Sequence, residues 1–253
     1  MSLQLRNISL KIYGFLLLTV YMVFTYSVFN GWWYSSVGTI LIIFFSYLIW
    51  REKFLFVTGL KLSVKTLLLS ILLGVIITFF AVIIIRYIGS KNGVNIQFSS
   101  FGSYYHDIFY VLNEEIILGG IAIYLLISKY KLPSLLASVL LALAFSVIHY
   151  VFYRWVFLDT GIIKPLTLIV LFLVGFVRNN LIIVYRHIGF SWALHFGWVA
   201  VMLGSYPYRS ESLEGLSEPE KFNMFLGSRE MLIIAAVIAV LSYLQLARKQ
   251  KDP

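Results

Sequence analysis

The chain has 253 residues, 60% of them hydrophobic and only 12% charged, with a formal net charge of +9. That charged share is about half of what a soluble protein carries. With a mean hydropathy of +0.90, a soluble core of this length cannot hide the apolar surface, so lipid is the expected solvent for most of it. The lack of cysteine excludes disulfides, thiolate metal sites and a cysteine nucleophile. The basic residues lie between apolar runs rather than on one soluble face, which points to membrane topology and away from nucleic acid.

In chain order, the start MSLQLRNISLKIYGFLLL has the positive opening of a signal peptide. Its apolar run continues without a small-residue cleavage site, so a retained first span over 11–30 is expected. Further apolar segments follow at 35–50, 66–86, 107–127, 133–153, 165–186, 189–205 and 231–247. They predict an all-α, polytopic membrane helix bundle of about eight transmembrane spans, forming a single integral membrane domain over 1–253. Only a tight break at His187-Ile188-Gly189 separates the sixth span from the seventh.

Loop charges predict the orientation. With both termini inside, the inner segments hold twelve basic residues, including Arg51, Lys53, Lys61, Lys131, Arg186 and Lys249, against two acids, Glu52 and Asp252. The outer segments hold seven basic residues and seven acids. The excess of Lys and Arg on one side predicts an N-in/C-in arrangement. Two outer stretches are polar: 88–106, rich in Gly and Ser, and 206–230, which carries five Glu. Either can be a solvated connector or the cap of a cavity. Neither an internal repeat nor a low-complexity tract is present.

Ionisable groups inside apolar spans carry the functional expectation. Glu114 and Glu115 interrupt the fourth span in YVLNEEIILGG, where each costs on the order of 2.5–3.5 kcal/mol on insertion scales. Neighbours on a helix point about 100° apart, so the two carboxylates face different surroundings and have different work to do. His149, in FSVIHYVF, shares a helix face with Phe145, and His195 lies deep in GFSWALHFGWV. A lone histidine in such a place is ordinarily a hydrogen-bonded packing residue. Two of them beside the paired acids, at comparable depth, predict a shared polar centre. His106 and His187 fall at span ends and are expected at the interface. Arg178-Asn179-Asn180 interrupts the sixth span; it can bind a substrate carbonyl or sit where the helix nears the inner face, and the second is the plainer reading. No zinc His-Glu-x-x-His, Gly-x-Ser-x-Gly elbow or phosphate loop is present.

Glu114-Glu115 followed by Gly119-Gly120, then Phe145-x-x-x-His149, then His195 after an aromatic lead, resembles the motif series of the CPBP family. This is the CaaX-prenyl-endopeptidase and bacteriocin-processing (Abi) group of intramembrane glutamic proteases. The likeness covers about residues 105–205, including the approach from Gly175 to Val199. It implies Glu114 as general base acting on water, with Glu115 and His149 as orienting partners and His195 as the remaining motif histidine. Two positions depart from the family pattern. Gly119 stands where the motif has arginine, and Val199 stands where it has Asn or Asp.

The expected function is therefore hydrolysis of a membrane-associated peptide or protein tail by a Glu-activated water. No cofactor is required, and the expected location is a bacterial or archaeal plasma membrane. The departures at 119 and 199 support an alternative, a catalytically impaired pseudo-protease acting as a membrane scaffold or immunity and partner-binding protein. Two weaker readings are a divalent metal on the two carboxylates and two histidines, and a proton-coupled transporter. The charge count puts the polar centre nearer the outer face, whereas the CaaX-type resemblance implies work from the cytoplasmic side.

Overall fold

The computed structural model describes residues 32–100, 105–152, 163–207 and 216–251, together with Ile12 and Gly14. Apart from those last two residues, the span expected over 11–30 lies outside the described part. The other seven expected segments all coincide with helices. Helix α1 (Trp32–Trp50) ends in a 3₁₀ turn, Arg51–Lys53, and a short helix, Phe54–Val57. Helix α2 (Val64–Lys91) starts at Ser63, whose hydroxyl accepts the Thr66 N–H at 3.1 Å and satisfies a donor the first turn leaves free. Helix α3 begins at Tyr105–Glu114 and widens into π-helical turns at Glu115–Ile121 and Tyr124–Lys129. Helices α4 (Ser134–Val151), α5 (Pro165–Tyr185), α6 (Gly189–Leu203) and α7 (Arg229–Lys251) complete the set. Pro165 opens α5, where its missing N–H costs nothing.

Among the described residues the structure is all-α but for one small ribbon. Five helical segments among the described residues are long and apolar enough to cross a membrane: Val64–Lys91, Asp107–Lys129, Ser134–Val151, Pro165–Tyr185 and Arg229–Gln250. Helix α6, with 15 residues, is apolar but shorter. Helix α2 leaves Leu68, Val75 and Phe79 each about 60% exposed. A continuous apolar surface of that kind needs a nonaqueous neighbour, so the fold is compatible with an integral membrane protein.

Packing places α5 and α6 at the centre. Helix α6 lies against α2, α5 and α3, while α5 also packs on α4 and α7, and α1 packs on α3. Small residues allow the close approaches, with Gly74 of α2 facing Ala193 of α6 and Gly175 of α5 facing Ala142 and Phe145 of α4. Polar side chains then fix the register. Asn113 donates to the Ser35 carbonyl at 3.1 Å and accepts from Thr39 at 2.6 Å, tying α3 to α1. Asn179 donates to the Ser138 carbonyl, and Asn180 bridges Ser138 of α4 and Ser242 of α7.

The two polar stretches are not independent connectors. Strand β1 (Ile96–Phe98) pairs antiparallel with β2 (Ser205–Pro207), Ile96 opposite Pro207 and Phe98 opposite Ser205. Part of the Glu-rich stretch also folds back. Ser217 and Glu220 form a capping box at Glu218–Lys221, and the following turn Phe222–Leu226 buries Phe222, Phe225 and Leu226. The hydrophilic loop thus contributes an apolar wall to the interior.

Candidate functional site

The site begins with the different fates of the adjacent acids. Glu115 is fully buried. Its Oε2 accepts from the Ser191 hydroxyl at 2.6 Å, and its Oε1 lies 3.0 Å from His195 Nδ1. Arg178 Nε, from α5, stands 3.5 Å from the same Oε1. Glu114, one residue earlier, turns to another quarter. Its Oε2 lies 3.8 Å from His195 Nε2 and has no hydrogen-bond partner among the described residues. The wide π turn starts at Glu115; such turns re-aim side chains and recur at functional positions in helices. One carboxylate is bound up in structure and the other is left available.

Hydrogen-bond chemistry then assigns the imidazole protons. A carboxylate can only accept, so His195 carries its proton on Nδ1, facing Glu115, and presents Nε2 to Glu114. His149 Nδ1 lies 2.7 Å from the Phe145 carbonyl, which also can only accept. The Nδ1–H therefore belongs to that bond, and Nε2 is the free nitrogen. With Glu114 ionised and His195 neutral, two acceptors would face each other across 3.8 Å. One water between them, donating an O–H to each, would remove that conflict.

Phe145 is the hub of the aromatic wall. Its ring lies 4.5 Å from that of His149 and 5.6 Å from that of His195, and the Arg178 guanidinium sits 4.7 Å over it. His149 and His195 both line one cavity of about 340 Å³, walled by Trp198, Val199, Phe222 and other apolar side chains. Four groups, Glu114, Glu115, His195 and Arg178, form one connected cluster, and His149 joins them across Phe145 and the cavity. Among the described residues no three His, Cys, Asp or Glu side chains are arranged to hold a metal ion.

Sequence reasoning placed Glu114, Glu115, His149 and His195 in one centre, and the structure brings their side chains together. It misjudged Arg178. This arginine is not a solvated helix-end residue; it is 1% exposed and its Nε lies 3.5 Å from Glu115 Oε1. The signal was present in a cation within an apolar run, which needs an anion nearby. His187 is also buried, with its Nδ1 accepting the Gly189 N–H at 3.1 Å. The side chain of His106 lies outside the described residues.

Scanned against protein-family models and against curated proteins, the chain matches none.

Proposed function

We propose that the chain is an integral membrane endopeptidase with about eight spans, both termini inside, that hydrolyses a membrane-associated peptide or protein tail. The observation that carries this reading is the unpartnered Glu114 Oε2 held 3.8 Å from a histidine whose other nitrogen is fixed by a second buried carboxylate. A separation of 3.8 Å is too long for a direct hydrogen bond and short enough for one water to touch both atoms. Glu114 takes a proton from that water as it attacks the scissile carbonyl, then passes the proton to the leaving amine. Glu115 holds His195 in the tautomer that presents Nε2. His149, on the wall of the same cavity, presents an accepting Nε2 that orients bound substrate or water there. No covalent intermediate forms.

Both departures from the CPBP pattern have a structural counterpart. A side chain at 119 would meet Ile182, Glu115 and Arg178, the Cβ alone coming within 2.7 Å of Ile182 Cδ1 and 3.8 Å of Arg178 Nη2. Gly119 thus leaves room for an arginine that arrives from α5 instead of α3. At 199 the valine has no donor, but the neighbouring Trp198 lines the same cavity and carries a buried indole N–H with no partner among the described residues. That N–H is the available substitute for the missing amide.

The test is peptide cleavage by the Glu114→Ala and His149→Ala variants at equal protein level. Turnover falls in both, by about 10²–10⁴ for the base. Undiminished turnover in both overturns the reading. Val199 favours a second reading, a pseudo-protease that keeps the fold as a membrane scaffold. It would be supported if purified protein cleaves nothing while Glu114→Ala retains the cellular phenotype.

A further inference from the structure

A groove of about 490 Å³ opens between the C-terminal ends of α3, α5 and α7, away from the acid–histidine cluster. Its inner wall is apolar, formed by Phe56, Ile123, Ile127, Ile182 and Leu246 among others. Its outer rim is set by helix ends. Arg186 follows α5, Lys249 lies in the last turn of α7, and Ser128 and Ser134 flank the α3–α4 connection. None of the lining residues is acidic. Arg186 and Lys249 both line the groove, and the charge of Arg186 acts repulsively on Lys249, so the two cations are near each other.

Backbone conformation adds a second argument. Arg186 adopts a left-handed conformation, φ +60°, and closes α5 by donating its N–H to the Ile182 carbonyl at 2.7 Å. Glycine takes that position at the lowest cost, yet here it carries a guanidinium. Among the described residues the other non-glycine positions with positive φ are Arg51 and Lys131, which follow α1 and α3. Three helices thus end in strained basic residues. Of these only Arg186 reaches the groove, where with Lys249 it forms a cationic rim that complements a phosphate above an apolar slot.

We propose that the groove binds one anionic phospholipid, its phosphate between Arg186 and Lys249 and an acyl chain along the Ile123–Ile182–Leu246 wall. Basic pockets between membrane helices suit such head groups, because each cation attracts the phosphate while the chain stays in hydrocarbon. The site stands apart from the hydrolytic reading and shares with it only the placement in a membrane.

Native mass spectrometry of the full-length protein in neutral detergent tests this, with phosphatidylglycerol, phosphatidylcholine or inorganic phosphate added separately. The wild type retains one phosphatidylglycerol in preference to phosphatidylcholine by about tenfold or more, and phosphate at equal concentration does not displace it. The Arg186→Gly/Lys249→Gln variant, whose glycine suits the left-handed backbone, loses the preference. Arg186→Lys/Lys249→Arg keeps it, as does Lys91→Gln at the other end of α2. Equal retention of both lipids by the wild type overturns the proposal. So does an undiminished preference in Arg186→Gly/Lys249→Gln, and so does displacement by phosphate, which would make this a free-anion site.

Discussion

Arg178 carries a full charge at 1% exposure, and its nearest anion is Glu115. Removing one partner of such a pair leaves the other charged and buried, which typically costs about 3–5 kcal/mol. Glu115→Gln and Arg178→Gln should each destabilise the protein on that scale, while the double variant loses less than the sum, by about 1–3 kcal/mol of coupling. Denaturation midpoints in detergent measure this, and strict additivity would contradict the pairing. At this scale the sequence was legible where chemistry is expensive, since Glu114, Glu115, His149 and His195 stand out as titratable groups in apolar runs. Arg178 stood out equally, but its partner lies 63 positions away in the chain and no local pattern points to it. The Ser191 hydroxyl on Glu115 was likewise invisible, because serine is an ordinary residue in a membrane helix.

At the scale of elements, the lengths of the apolar runs located seven helices within a few residues of their ends. It did not reveal that α3 widens at Glu115, since π turns arise from the fit of neighbours rather than from propensity. The inward fold of Phe222–Leu226 was readable in hindsight. Ser217-x-x-Glu220 is a capping box, and apolar residues follow at 222, 225 and 226. The junction between α5 and α6 makes its own prediction. His187 Nδ1 accepts the Gly189 N–H, and burial holds its pKa below the ordinary imidazole value of about 6.5. The unfolded chain therefore takes up the proton first as pH falls. The stability this contact contributes is complete above about pH 6.5 and declines as the pH drops towards the lower folded value. The Tm difference between wild type and His187→Ala should accordingly shrink between about pH 7.5 and pH 5; a constant gap would contradict it.

For the whole molecule, composition alone pointed to a nonaqueous environment, and the exposed apolar face of α2 is compatible with it. Orientation follows from charge instead of packing, and the absence of cysteine makes it simple to examine. Single cysteines in place of Lys53 and Lys91 should be labelled by a membrane-impermeant maleimide from opposite sides of sealed vesicles, Lys53→Cys from the inside. Labelling of both from one side would contradict the proposed topology. What no composition or pattern could supply is the entry of α5, through Arg178, into the cluster expected from α3, α4 and α6, because that depends on how helices far apart in the chain pack together.

The claim on which the functional account turns is that neighbouring carboxylates are divided between chemistry and support. Cleavage of membrane-anchored peptides by the Glu114→Gln variant, with its Tm measured on the same preparation, tests that division most directly. The account predicts a loss of turnover of about 10² or more with a wild-type Tm. Wild-type turnover in Glu114→Gln, or a collapse of its Tm like that expected for Glu115→Gln, would contradict it.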